Sequence, residues 1–109
     1  MDDDRQQGRI AEEQYVRSEL AMSELVGRRL HGEVGYEESR AGDYWKPTYE
    51  HRQPNEWWFR DPFGKFGRIT KHTVEEHDDG TITVSPSIAC AGGGGADFHG
   101  WLKHGVWSW

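Results

Sequence analysis

Two adjacent tryptophans, Trp57 and Trp58, sit in the aromatic run EWWFR at residues 56–60. The next four residues, Asp61-Pro62-Phe63-Gly64, put Asp, Pro and Gly where a type I turn favours them. Neighbouring side chains of a strand point to opposite faces, so only one of the two indoles can enter a core. The chain has six tryptophans in 109 residues, while only 34% of it is hydrophobic and 13% aromatic. A core built this way rests on a few large rings, each burying on the order of 150–250 Å². A sheet this small leaves some indoles over, and tryptophan left on an outer face marks an interface. The expected binding residues are therefore Tyr44, Trp45, Tyr49, Trp57, Trp58, Phe63, Trp101, Trp107 and Trp109.

One α+β domain is expected: an N-terminal α-helix plus a small antiparallel meander of about five strands. Residues 1–8 are polar and acidic and should fray. Residues 9–31 are rich in helix formers and lack proline, with Arg28, Arg29 and His31 before Gly32, the pattern of a helix C-terminus. Glu13 with Arg17 and Glu24 with Arg28 would form i,i+4 pairs on that helix. Its apolar stripe would be Ala11, Tyr15, Met22, Leu25 and Val26, with Leu30 at the margin. Val16 and Leu20 on the other side offer a route to self-association. Residues 32–55 show no period and read as an irregular aromatic arm carrying Tyr36, Tyr44, Trp45 and Tyr49. Residues 56–109 read as the β domain.

Register can be argued for one hairpin. A three-residue loop, Asp78-Asp79-Gly80 with Gly80 left-handed, sets Val74 opposite Val84 and Glu76 opposite Ile82. His72, Val74, Ile82 and Val84 then face inward, and Thr73, Glu75, Thr81 and Thr83 outward. Gly67, inside the strand before it, marks a bulge or a place where a ring lies over the backbone. The four glycines at 92–95 form a flexible loop without the spacing of a nucleotide-binding fingerprint. In the strand at 97–102, Asp97, His99 and Trp101 share one face, and Phe98, Gly100 and Leu102 the other. A last hairpin turns around Lys103-His104-Gly105, with a glycine bulge like that at Gly80.

Chemistry is thinly represented. Residues 1–50 hold twelve acids and seven bases and residues 51–109 hold seven and six, which splits the net charge of -6 into -5 and -1. Phosphate-backbone binding needs clustered Lys and Arg, so nucleic acid is not the expected partner. The single cysteine, Cys90, cannot form an internal disulfide, and no apolar run approaches a membrane span. A soluble cytoplasmic protein without cofactor is expected. His72, His77, Asp97, His99 and His104 are the metal-ligand candidates, but no CxxC or HxxxH pair announces a zinc site. Ser85, Ser87 and Cys90 lack a GxSxG elbow, so an enzyme is not expected.

The tail carries Pro86-Ser87-Ile88, then Phe98-His99-Gly100-Trp101-Leu102, then His104-Gly105-Val106-Trp107. It resembles the end of an uncharacterised family of small bacterial and phage proteins, over about 25–50 C-terminal residues. Some members of that family carry cysteines suggesting zinc, whereas here only Cys90 remains. The resemblance implies a phage or prophage setting, in which a small acidic protein works by binding a larger one in the host cytoplasm. The expected function is thus a protein-binding module, an inhibitor of a host enzyme or defence complex, acting through exposed aromatics and an acidic helix. One alternative is a virion or assembly component whose helix and arm clasp neighbouring subunits, with homo-oligomers formed through the helix. Another is a small zinc-stabilised or hydrolytic domain.

Overall fold

The protein is described from a computed structural model covering residues 22–109. Its strands are β1 (Glu24–Val26), β2 (Arg28–Arg29), β3 (Asp43–Trp45), β4 (Trp57–Arg60), β5 (Phe66–Ile69), β6 (Thr73–Glu76), β7 (Ile82–Cys90), β8 (Phe98–Lys103) and β9 (Val106–Ser108), with one 3₁₀ turn at Tyr36–Glu38. One sheet has the order β1-β9-β8-β7-β6 and the other β2-β3-β4-β5. Every pairing is antiparallel except β2 with β3. The architecture is a two-sheet β fold rather than a helix on a meander.

The expected helix is overturned over residues 22–31, which are strand and connection; its first part, residues 9–21, lies outside the described residues. Tertiary partners outweigh helix propensity here. Arg28, expected to pair with Glu24 along a helix, instead makes a two-pronged bond to the buried Asp43, at 3.1 Å from Nε and 2.8 Å from Nη2. Arg29 reaches Glu76 at 3.2 Å and lies over the Trp57 ring. Gly27 is the pivot by which the chain leaves one sheet for the other: its N–H donates to the Gly105 carbonyl at 2.7 Å. A Cβ there would stand 2.6 Å from the Gly42 carbonyl oxygen, so only glycine fits.

The arm is likewise corrected, because residues 43–45 form the inner strand β3 of the second sheet. Three residues are too few to show a period, so the strand is hidden in its sequence. Between the sheets lies one core of Tyr44, Trp57, Phe59, Ile69, Ile82, Val84, Ile88, Cys90, Phe98, Leu102 and Trp107, with Leu25, Val74 and Trp109 packed against it. Trp107 is its centre: it is fully buried, touches Phe59 and Phe98 at ring-centroid distances of 5.4 and 5.6 Å, and donates from Nε1 to the Gly42 carbonyl at 2.9 Å.

The hairpins bear out much of the register reading. Val74 stands opposite Val84 and Glu76 opposite Ile82, and Gly80 is left-handed at φ 89°. The Asp61 turn closes with Gly64 N–H donating to the Asp61 carbonyl at 2.8 Å. Strand β8 buries Phe98, Gly100 and Leu102 and exposes His99 and Trp101. The last turn differs from expectation. Lys103 pairs directly with Val106, leaving a two-residue turn with positive φ at His104 (47°) and Gly105 (75°), a type I′ turn whose twist suits the flanking strands.

Candidate binding surface

Alternation along β3 and β4 sorts the aromatics. Tyr44 and Trp57 enter the core, while Trp45 and Trp58, paired opposite each other, take the outer face of the second sheet. On β5 the turn at Asp61 brings Phe66 opposite Arg60 and Arg68 opposite Trp58 on that same face. The result is a continuous row of rings. Tyr49 stacks on Trp58 at 5.7 Å, Trp58 meets Phe66 edge-on at 5.3 Å, and Phe66 meets Tyr36 at 6.0 Å. Trp45 lies beneath, 6.5 Å from both Trp58 and Phe66, and is itself buried. Tyr36, Tyr49 and Phe66 are exposed and Trp58 partly so.

This row is held in place by two polar devices. The first is Glu56, whose buried carboxylate accepts from Tyr49 Oη at 2.6 Å, Trp58 Nε1 at 2.6 Å and Gln53 N–H at 2.9 Å, with Arg68 at 3.6 Å. Burial by itself would raise the Glu56 pKa, but these hydrogen bonds and the Arg68 charge outweigh it and hold the carboxyl below the usual range. The same bond raises the Tyr49 phenol, since a donor to a carboxylate gives up its proton reluctantly. The second device is Arg60, which donates to Ser39 Oγ, the Gly64 carbonyl, the Tyr36 carbonyl and Tyr36 Oη, and lies 3.7 Å from the Tyr36 ring centroid. Beside Trp58, residues 32–34 and 47–49 wall a cavity of about 240 Å³.

The other expected binding residues fall elsewhere. Trp57, Trp107 and Tyr44 are core, and Trp45 is covered, because alternation or neighbouring rings leave them no free surface. Phe63 is exposed at the tip of the Asp61 turn, edge-on to Trp109 at 5.6 Å and to Phe98 at 5.7 Å. Trp101 is exposed on the outer face of the first sheet, stacked on His99 at 5.8 Å. The structure therefore gathers Tyr49 and Trp58 into one surface, pairs Phe63 with Trp109 elsewhere, and sets Trp101 apart from both. Four members of that surface, Tyr36, Glu56, Arg60 and Phe66, are absent from the expected set. The Asp-Pro-Phe-Gly turn held the clue to one of them, because its register sets Phe66 beside Arg60 on the face of Trp58.

The metal candidates do not converge: among the described residues no group of three His, Cys, Asp or Glu side chains is placed to hold an ion. His72 Nε2 bonds the Ser87 carbonyl at 3.0 Å, and His77 Nε2 bonds Thr83 Oγ1 at 2.7 Å while stacking on His104. Asp97 Oδ1 lies 3.6 Å from Lys65 Nζ. His99 Nε2 meets Ser87 Oγ at 2.9 Å, half of a nucleophile–base arrangement, but on exposed surface and with no acid bonded to the other ring nitrogen among the described residues. Cys90 is buried, and burial followed by the neighbouring Asp61 carboxylate pushes its thiol up to about 11.

Compared with protein-family models, curated proteins and solved structures, the chain finds no match in any of the three.

Proposed function

We propose that this chain is a binding module that recognises a protein partner through the outer face of its second sheet. The observation that carries the reading is the anchored ring row Tyr49–Trp58–Phe66–Tyr36. Aromatic side chains bring large contact area with only two rotatable bonds, and those fixed beforehand lose little further freedom on binding. Here Glu56 fixes two of the rings and Arg60 a third. The phage or prophage setting implied by the tail, with a host enzyme or defence complex as the partner, belongs to the same proposal.

Rings interleaved with Arg60 and Arg68 also favour a second reading, a stacking platform for single-stranded nucleic acid. The net charge of -6 weighs against it. The test compares the unaltered protein with a Trp58→Ala, Tyr36→Ala double variant in affinity capture from cell extract and in binding to labelled oligonucleotides. A protein captured by the first and lost, by about thirtyfold or more in affinity, from the second is the expected result. Equal capture by a double variant that unfolds at the same urea concentration refutes the reading. Oligonucleotide binding that weakens with added salt replaces it with the second.

A further inference from the structure

A seam lies open between β5 and the second half of β7. Strand β6 pairs with β7 only from Ile82 to Ser85, and β8 covers the opposite edge of β7, so past Ser85 one edge of β7 has no partner strand among the described residues. Strand β5 pairs with β4 on one side and, among the described residues, with no strand on the other. His72, just past β5, bonds the Ser87 carbonyl of β7 at 3.0 Å. Between the two edges is a cleft of about 390 Å³ that reaches Phe59, Ile88 and Cys90 of the core.

The hydrogen-bonding parity of the β5 edge follows from its pairing with β4. Asp61 N–H donates to the Lys65 carbonyl, which makes that a bonded pair; two and four residues on, Phe59–Gly67 and Trp57–Ile69 are bonded pairs as well. Phe66 and Arg68 therefore turn N–H and C=O away from β4, into the seam. On β7 the Ser87 carbonyl meets the His72 ring, within the stretch where the pairing with β8 shifts register between Val84 and Ile88. Free backbone groups beside an apolar floor are what a strand-adding peptide needs.

Charge names the occupant. The cleft lining carries Lys65, Arg68, Lys71 and His72 and no carboxylate, in a chain of net charge -6. Facing these groups from outside the lining, Glu56 is 3.6 Å from Arg68, Asp97 is 3.6 Å from Lys65 and the buried Asp61 carboxylate lies beside Cys90, whereas Lys71 is exposed and makes no ion pair among the described residues. We infer that this seam binds a short extended acidic segment of a partner protein, which adds as a strand along the free edge of β5. Its alternate apolar side chains enter toward Ile69, Ile88 and Cys90, and its carboxylates lie beside Arg68 and Lys71. The seam is a sheet edge that borders the aromatic face through Phe66 and Arg68, and the inference does not rest on that face binding a partner.

The probe is a fluorescein-labelled hexapeptide of alternating Val and Glu, read by anisotropy against the full chain. Binding is expected, weaker by about tenfold for Lys71→Glu and by a similar factor when alternate probe amides are N-methylated, a change that leaves the protein untouched. Lys103→Glu, the same charge change at an exposed lysine of β8 outside the seam, leaves the affinity unchanged. No measurable binding, equal binding of a Val/Lys hexapeptide, or indifference to N-methylation each overturns the proposal. Tighter probe binding by a variant with Asp2, Asp3 and Asp4 changed to Asn also overturns it, because the seam would then belong to the chain's own acidic segment.

Discussion

Trp107→Phe separates an indole that builds the fold from one that meets a partner. Trp107 has no exposed surface and lies between Phe59 and Phe98. Phe in its place leaves a void of roughly 40 Å³, which at about 24 cal/mol per Å³ costs ~1 kcal/mol. The bond from Nε1 to the Gly42 carbonyl is lost as well. That carbonyl keeps a longer bond from Arg28 N–H at 3.3 Å, so it is not left without a donor, and the loss adds about 1 kcal/mol. The sum, about 2 kcal/mol, lowers Tm by roughly 8–16 °C in a domain of this size. Urea unfolding followed by circular dichroism should show a lower midpoint with an unchanged slope. Below its melting range the variant should bind any partner of the aromatic face as the unaltered protein does. A stability change under about 0.5 kcal/mol together with lost binding would refute the assignment of Trp107 to the interior.

Three further outcomes follow from single contacts. Glu56 has a folded pKa below the ordinary carboxylate value of about 4.3. Its contribution is therefore complete above that value and is lost as pH falls through the folded one. Acid unfolding should be less steep in Glu56→Gln, with a red-shifted, more mobile Trp58 by fluorescence; identical acid limbs would count against the three-donor arrangement. Cys90, with its thiol raised to about 11, should react with iodoacetamide at pH 8 about a hundredfold more slowly in the native protein than in urea. Gly67→Ala sets a Cβ into the Phe59 ring and 3.1 Å from Cys90 Sγ, and should cost about 1–3 kcal/mol by urea unfolding.

What could be read from the sequence was local. The loop at Asp78–Gly80, the Asp61 turn and the alternation of β8 each rest on turn chemistry or a period of two, and each appears in the structure. Gly67 indeed lies under the Phe59 ring. The misreading over residues 22–31 came from an i,i+4 pattern that helix and strand can both carry until the partners of Arg28 and Arg29 are known, and those partners lie 15 and 47 residues away. Gly27 was the discordant signal, since glycine inside a helix costs about 1 kcal/mol. The aromatic surface was half legible: the face of Trp58 follows from EWWFR, but Tyr36 joins it through Arg60 and Phe66, contacts far apart in the chain.

The pairing of Leu25 with Trp107 has a consequence for biosynthesis. During translation β1 has no strand of the first sheet to receive it until residues 106–108 have left the ribosome, so that sheet closes only once β9 has been made. Until then the core around Trp107 is incomplete, a long-range closure of the kind that slows folding and leaves apolar surface open to aggregation, so rapid overexpression is the condition under which the protein should precipitate.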